Sequence, residues 1–450
     1  MSLQKRPAAD ENGERKQCRT VDGQGSIGFH DFDVPVNRSK VYSVKHGLHF
    51  ASSSHDVIPM WVADMDLPCC PEIQKALAER AAHPTFGYTY QPGEIWDSVS
   101  SWLQAHQGWP VGRPTASSFI FSPSVVTSFV CAFRAFSEPG EAVLLMTPLY
   151  APLQKAVQAE GRRLVRHQLI HPLSAAGRAA EGESGSPGTP VFEYGIDWPE
   201  LEAQLKAESV RLLLLCNPHN PSGRVWRRDE LTRLAALCRE NGVLILSDEI
   251  HADWCLWGNE FVPMAAVVSD PAAVVTFGAP TKTWNLAGLM CSFLIIEDEA
   301  MRRKYASIVD HAFLQYGGTF ATTAMLAAYQ RGEPWLRKAK AYVEGNISEV
   351  QAYFDAHLAE VQVWRPQATF LVWLDFSRLG CKAAELKAKL AAAGVVFSSG
   401  EEFAPESAHF QRMNVALSRT VLRQALGRVS KAVAELRLSN SGLPTVAADT

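Results

Sequence analysis

The stretch VTFGAPTKTWNLAGL, Val275 to Leu289, joins a strand-like apolar run to a turn of small and hydroxylated residues carrying Lys282. A solvent lysine needs no such setting. A lysine used as a nucleophile does, because its amine must lose charge and be held still. Four more segments repeat the rhythm of apolar run, polar turn and helical pattern. SFIF precedes SPSVVTSFVCAFRAF, AVLLM precedes TPLYAPLQKAV, RLLLLC precedes NPHNPSGRVW, and VLILS precedes DEIHADW. Runs of Val, Leu and Ile without alternation suit strands covered on both faces, which predicts an α/β fold with a mostly parallel sheet. The segment DELTRLAALCRENG supplies a covering helix, with Leu231, Leu234, Ala235 and Cys238 on one face and Gly242 closing it.

In open α/β sheets ligands bind at the carboxyl ends of the strands. The residues just past those ends are Ser122 to Ser128, Tyr150, Asn220, Asp248 with His251, and Lys282. One sheet edge is thus expected to gather a helix start suited to an anion, an aromatic ring, an amide, a carboxylate and a lysine. Each has an ordinary explanation alone: a loop lysine, a capping aspartate, a turn motif, a core histidine. Their order and shared position set them apart. Together they are what pyridoxal phosphate requires: an amine to bind it, a carboxylate to keep its ring nitrogen protonated, and a site for its phosphate. His251, Asp253 and Cys255 imitate metal ligands, but no second cluster of suitable spacing accompanies them, so no metal is expected.

The chain has 450 residues, of which 47% are hydrophobic, enough for a large core. A formal charge of −4 gives no electrostatic reason to expect nucleic acid or an anionic membrane. No run approaches the ~18 apolar residues of a membrane span. Nine cysteines without a C-x-x-C pair predict reduced, buried thiols and an intracellular, cytoplasmic protein. Composition predicts disordered tails over 1–29 and 437–450, and a surface insertion over 173–190. The basic clusters of Lys5 to Arg19 resemble a nuclear import signal but read as a solvated tail.

The segments WVADMD, FGYTYQP, CNPHNPSGRVW, SDEIHADW, TKTWNLAGL and RMNVALSR, taken in order, resemble fold-type I pyridoxal phosphate enzymes, the aspartate aminotransferase superfamily. Within it they are most similar to the MalY/PatB-type cystathionine β-lyases, or C–S lyases. The likeness covers some four fifths of the chain, from Ile58 to Leu426. It implies that Lys282 binds the cofactor's aldehyde and serves as the catalytic base. Asp248 would pair with the ring nitrogen, Asn220 with the phenolic oxygen, and Tyr150 would stack on the ring, with His251 close by. Val125, Val126 and Thr281 would hold the phosphate, joined by Tyr88 from a neighbouring subunit in a homodimer with shared sites. Arg412 would grip the substrate carboxylate, a task suited to a two-armed guanidinium, with Ala63 also at the substrate. The resemblance further implies a large domain over 81–325 and a small domain from 30–80 and 326–436, linked by a long helix near Gly332 to Leu358 with Pro334 in its first turn, and with ATFLVWLDF as a small-domain strand.

Three positions depart from the usual aminotransferase pattern: Met290 where an arginine is common, Ala279 for a serine, and His251 for a tyrosine. The first and third favour the C–S lyase branch. The implied activity is cleavage of cystathionine or an S-substituted cysteine to thiol, pyruvate and ammonia. An aminotransferase and a non-catalytic binding protein are the alternatives, and the intact Lys282, Asp248, Asn220 and Arg412 set argues against the latter. The tail and the Ala/Gly/Ser-rich insertion suggest a fungal version, whose relatives cleave bis-cysteinyl adducts in sulfur-containing secondary metabolism.

Overall fold

The structure is a computed structural model and describes residues 31–38, 40–47, 56–172 and 193–440. The N-terminal tail with its import-like segment, the insertion 173–190 and residues 441–450 lie outside the described residues. Among the described residues thirteen strands form three sheets. Seven of them, β2 (Phe119–Ser122), β3 (Ala142–Thr147), β4 (Arg163–Gln168), β5 (Val210–Cys216), β6 (Leu244–Asp248), β7 (Val274–Gly278) and β8 (Ser292–Ile295), make a sheet in the order β2-β8-β7-β6-β5-β3-β4. Only β8 runs antiparallel to its neighbours. The predicted parallel sheet is therefore present.

The apolar runs explain its burial. Along β5, Leu212, Leu214 and Cys216 enter one core while Leu213 and Leu215 enter the other, as the period of two dictates. Helices Val125–Phe136 and Ala151–Ala159 close the first face, and helix Arg228–Glu240 packs on the second. That last helix buries Leu231, Leu234 and Cys238 and is followed by Gly242 at φ +66°, as its sequence predicts.

The chain steps from β3 out to β4 and then crosses back to β5 on the other side of β3, so the sheet reverses direction between β3 and β5. Such a reversal opens a crevice at the strand ends. Register aligns those ends, pairing Cys216 with Asp248 and Asp248 with Phe277.

A second sheet, wholly antiparallel, has the order β12-β13-β10-β9, with β9 (Gln362–Trp364), β10 (Leu371–Asp375), β12 (Ser398–Ser399) and β13 (Phe410–Asn414). A parallel pair joins β1 (Ile58–Pro59) to β11 (Val395–Val396). Helix Glu333–His357 carries Pro334 in its first turn, where no N–H is missed, and the final helix runs Arg419–Asn440.

Two expected helices are much shorter than their sequence rhythm suggests. After β6 there is only a single turn, Ala252–Trp254, and after β7 only Pro280–Thr283. His251, Asp253 and Trp254 are all buried, so DEIHADW has no solvent face for an amphipathic helix to present. The eight cysteines among the described residues are all free, and only Cys69 is not buried. Among the described residues no helix is long and apolar enough to cross a membrane.

Candidate active site

Lys282 sits in the short helix after β7, and that turn is anchored on several sides. Trp254 donates its indole N–H to the Lys282 carbonyl (2.7 Å), Thr283 donates its hydroxyl to Asp253 (2.7 Å), and Trp284 donates its indole N–H to the Gly332 carbonyl (2.9 Å). Asp253 also accepts from Trp102 (2.8 Å) and Gln107 (2.7 Å), which ties the turn to the helix Gly93–His106 and its C-cap. The Lys282 amine donates to the Ala63 carbonyl (2.6 Å). Burial, assisted by the charge of Arg412, brings its pKa down to about 8. The setting that the sequence raised as a question thus holds the amine still and makes it easier to deprotonate.

Asp248 ends β6 and is buried. Its carboxylate accepts from the Ile250 N–H (3.4 Å) and makes no ion pair among the described residues. Burial pushes its pKa up to about 7, with Lys282 opposing. His251, three residues on, is buried with both ring nitrogens lacking a hydrogen-bond partner. Burial, then the charges of Lys282 and Arg412, hold it neutral, well below the ordinary histidine range.

Arg412 comes from β13 in the second sheet. Its guanidinium donates to Asn220 Oδ1 (2.9 Å), to the Trp61 carbonyl (2.9 Å) and to Ser398 Oγ (3.2 Å), and lies over the Phe403 ring at 4.8 Å. No carboxylate pairs with it among the described residues, and burial lowers its pKa to about 10. Asn220 is set in the loop after β5, whose backbone turns back at Gly223 (φ +72°). A Cβ at Gly223 would lie 2.4 Å from the Pro366 Cβ, so only glycine fits that approach. Tyr150 follows β3 and is half-buried. Burial raises its phenol pKa, and Arg412 and Asp248 are the two charges that act on it.

The fold therefore brings Lys282, Asp248, His251, Asn220, Tyr150, Arg412 and Ala63 to one place. Val125 and Val126 are the first residues of helix Val125–Phe136, capped by Ser124, which accepts from the Thr127 N–H (3.2 Å). They are half-buried, as is Thr281. Tyr88 is the exception: it is 97% exposed and packs on Tyr316 with ring centroids 5.7 Å apart. Phe86, Tyr90 and Phe313 are exposed as well. Met290 lies in a left-handed conformation (φ 56°) and Ala279 is buried.

Sequence reasoning missed Ser398 and the roles of Trp61, Asn414 and Asp253, the last of which it read only as an imitation of a metal ligand. Trp61 acts through its backbone carbonyl, which no side-chain pattern announces. Asn414 was open to inference: it stands two residues after Arg412 in a strand, hence on the same face, and donates to the carbonyls of Val62 (2.7 Å) and Asp64 (2.6 Å).

These residues fit pyridoxal phosphate. A buried carboxyl without a cation, a partnerless buried histidine, an amine of lowered pKa and a helix N-terminus are complementary to its ring nitrogen, aldehyde and phosphate.

Comparison with known proteins agrees. Residues 55–429 match the family described as aminotransferase class I and II. Cystathionine beta-lyase PatB of Bacillus subtilis (strain 168) is 39% identical over 380 residues, 84% of this chain and 93% of that protein. Cystalysin from Treponema denticola, a structure containing pyridoxal 5'-phosphate, superposes with a TM-score of 0.83 at 26% identity, covering 91% of this chain and all of that one. The pyridoxal phosphate-bound C–S lyase from Staphylococcus hominis gives 0.79 at 26% identity, covering 90% and 99%.

Proposed function

The chain belongs to the class I and II aminotransferase family, and from that premise we propose that it is a pyridoxal phosphate-dependent carbon–sulfur β-lyase. Its substrates are cystathionine or S-substituted cysteines, which it converts to a thiol, pyruvate and ammonia. One observation carries the substrate class. A buried guanidinium, Arg412, makes no ion pair among the described residues, which suits an amino acid's carboxylate.

Lys282 would hold the cofactor's aldehyde carbon, Asp248 its ring nitrogen, Asn220 its phenolic oxygen and Tyr150 its ring face, with His251 beside them. Val125, Val126 and Thr281 would hold its phosphate. When bound, the cofactor supplies an electron sink for the charge left at the substrate's Cα. The protein's residues do the rest. Arg412 fixes the carboxylate, and the Asn220 amide and Trp61 carbonyl fix Arg412. The Lys282 amine, once the substrate's own amine has replaced it on the cofactor, would take the Cα proton. With a pKa near 8 an appreciable fraction is neutral at about pH 7, the condition for a general base. The C–S bond then breaks, its electron pair leaves with sulfur as thiolate, and the three-carbon remainder hydrolyses to pyruvate and ammonia.

Tyr88 is assigned to the phosphate of a second subunit in a homodimer. Its exposure, with that of Phe86, Tyr90, Phe313 and Tyr316, supports that reading. The assignment of a small domain to 30–80 and 326–436 around a large domain 81–325, and a cytoplasmic location, belong to the same proposal.

Purified protein loaded with cofactor should release pyruvate and thiol from cystathionine without any keto acid, and Lys282→Ala should release neither. Turnover that appears only when a keto acid is added overturns the lyase assignment in favour of transamination.

A further inference from the structure

The segment Trp61–Met65 follows β1 and joins no sheet, yet every one of its carbonyls accepts from a side chain. The Trp61 carbonyl accepts from Arg412 (2.9 Å) and Ser398 (2.8 Å), that of Val62 from Asn414 (2.7 Å), and that of Ala63 from Lys282 (2.6 Å). The Asp64 carbonyl accepts from Asn414 (2.6 Å) and Lys45 (3.2 Å), and that of Met65 from Asn285 (2.9 Å) and Arg38 (3.2 Å). This strip of backbone thus touches the base, the carboxylate-binding arginine and the N-terminal stretch 38–46 at once.

What holds the strip is a cluster of charge. Arg38 forks onto the Asp64 carboxylate (2.9 and 2.7 Å) and reaches Asp66 (2.6 Å). Lys45, 1% exposed, contacts the other Asp66 oxygen (2.6 Å), and His46 lies 3.0 Å from Asp66. Burial alone would raise the Asp66 carboxyl; Lys45, His46 and Arg38 outweigh it and hold the group well below the usual range. A lysine this deeply buried is costly unless the anions facing it are fixed. Fixing Asp64 and Asp66 also fixes the carbonyls between Trp61 and Met65.

We propose that Arg38, Lys45 and His46, acting on Asp64 and Asp66, form a positioning clasp for the reaction: they hold the Trp61–Met65 strip where its carbonyls set the resting places of the Lys282 amine and the Arg412 guanidinium. The proposal rests on the roles assigned above to Lys282 and Arg412. The clasp acts through the strip, and the Asp64 charge in addition favours the protonated form of the Lys282 amine.

The test uses Lys45→Met, which keeps the length of the stem and removes the charge, with Lys45→Arg as the conservative control. Amide exchange at Met65 and Asp66, whose N–H groups donate to Asn285 and to the Ala416 carbonyl, is read with and without cofactor. Lys45→Met should exchange there about tenfold faster while the seven-stranded sheet is unchanged. In the holoenzyme KM for cystathionine should rise and kcat fall together, each by about tenfold, since both the carboxylate grip and the base lose their seat. Lys45→Arg should restore most of both. Should Lys45→Met fail to fold, Arg38→Gln is read in the same way.

The clasp is refuted if exchange at Met65 and Asp66 and the kinetic constants match wild type. It is equally refuted if activity falls only in proportion to the folded fraction. Exchange and the cofactor's visible absorption need no C–S cleavage, so they decide the clasp even if the lyase assignment fails, and a clasp failure leaves wild-type thiol release untouched.

Discussion

Replacing Arg412 by Met separates substrate recognition from folding. In the substrate-free protein the guanidinium is a buried cation with no carboxylate partner among the described residues, and burial lowers its pKa to about 10. A shift of that size corresponds to roughly 3 kcal/mol against the charged form. Its hydrogen bonds to Asn220, Trp61 and Ser398, each from a charged donor, offset this by about 1.5 kcal/mol each. The net loss on Arg412→Met is then about 1 to 2 kcal/mol, so the thermal midpoint should fall by no more than about 5 °C.

Binding of substrate changes the balance. A carboxylate taken up by both guanidinium arms gains two charge-assisted hydrogen bonds, worth about 1.5 to 3 kcal/mol each. Their loss lowers kcat/KM by about 10² to 10⁴. The carboxylate is present in ground and transition states alike, so most of the loss belongs in KM. Arg412→Lys keeps the charge without the fork and should fall between the two. The assay is pyruvate and thiol release from cystathionine, run beside cofactor-dependent turnover of an S-substituted cysteamine, which lacks the carboxylate. The variant and wild type should differ little on that second substrate. If both substrates lose activity equally, or if kcat falls with KM unchanged, Arg412 does not bind the carboxylate and the reasoning is wrong.

Other outcomes follow from the same geometry. In the cofactor-free protein, burial raises Asp248 to about 7 and its neighbour Glu249 to about 8. The folded state then keeps protons that the unfolded chain releases, so these two carboxyls lower stability as pH rises from about 4 to about 8, while His251 and His219, held neutral by burial, act in the opposite sense below about 6.5. Lys282, lowered to about 8, acts in the opposite sense: above that pH the unfolded chain keeps its proton longer and stability recovers towards about pH 10. Urea melts of wild type and Asp248→Asn isolate the Asp248 part: the stability difference should move in the variant's favour as pH rises from about 4 to about 7, and a difference independent of pH contradicts the assignment. Tyr88→Ala and Lys282→Ala, each inactive alone, should regain about a quarter of wild-type activity when unfolded, mixed and refolded together, because hybrid dimers carry one intact site. No recovery means that Tyr88 does not serve a second subunit. Gly223→Ala should cost about 2 kcal/mol or more in urea melts, since φ is +72° and the new Cβ would lie 2.7 Å from the Ala368 carbonyl oxygen. An unchanged midpoint would show that the loop carrying Asn220 can yield.

Much of the site was legible because strand ends are. Lys282, Asp248, Asn220 and Tyr150 each follow an apolar run, and register alone brings those runs level. Arg412 was legible only through the RMN resemblance, since nothing local places a strand of the second sheet beside the first. The stretch around Lys282 was read as a turn leading into a helix, and the helix is a single turn, Pro280–Thr283. Buried Asp253 instead spends its oxygens on Trp102, Gln107 and Thr283, and Asn285 adopts φ 60°, ending the turn. The WVADMD segment was marked by the resemblance, but how it is held was not legible: its contacts run through backbone carbonyls, which are the same for any residue.

The arrangement also explains why these groups tolerate burial. Among the described residues Arg412 is a cation with no ion pair, Asp248 a carboxyl with no ion pair, and His251 a ring with two partnerless nitrogens. Each is individually unfavourable in a folded chain, and a protein selected for stability alone would replace them with apolar residues. They complement two molecules that arrive together: an amino acid carboxylate for Arg412, and a protonated ring for Asp248. Polar groups left unsatisfied by the fold, and converging on one amine of lowered pKa, are the physical form that specificity for a cofactor and an amino acid takes here. The clasp on Asp64 and Asp66 follows the opposite logic. Its charges satisfy one another completely, and so it can serve as the rigid frame against which the unsatisfied ones are held.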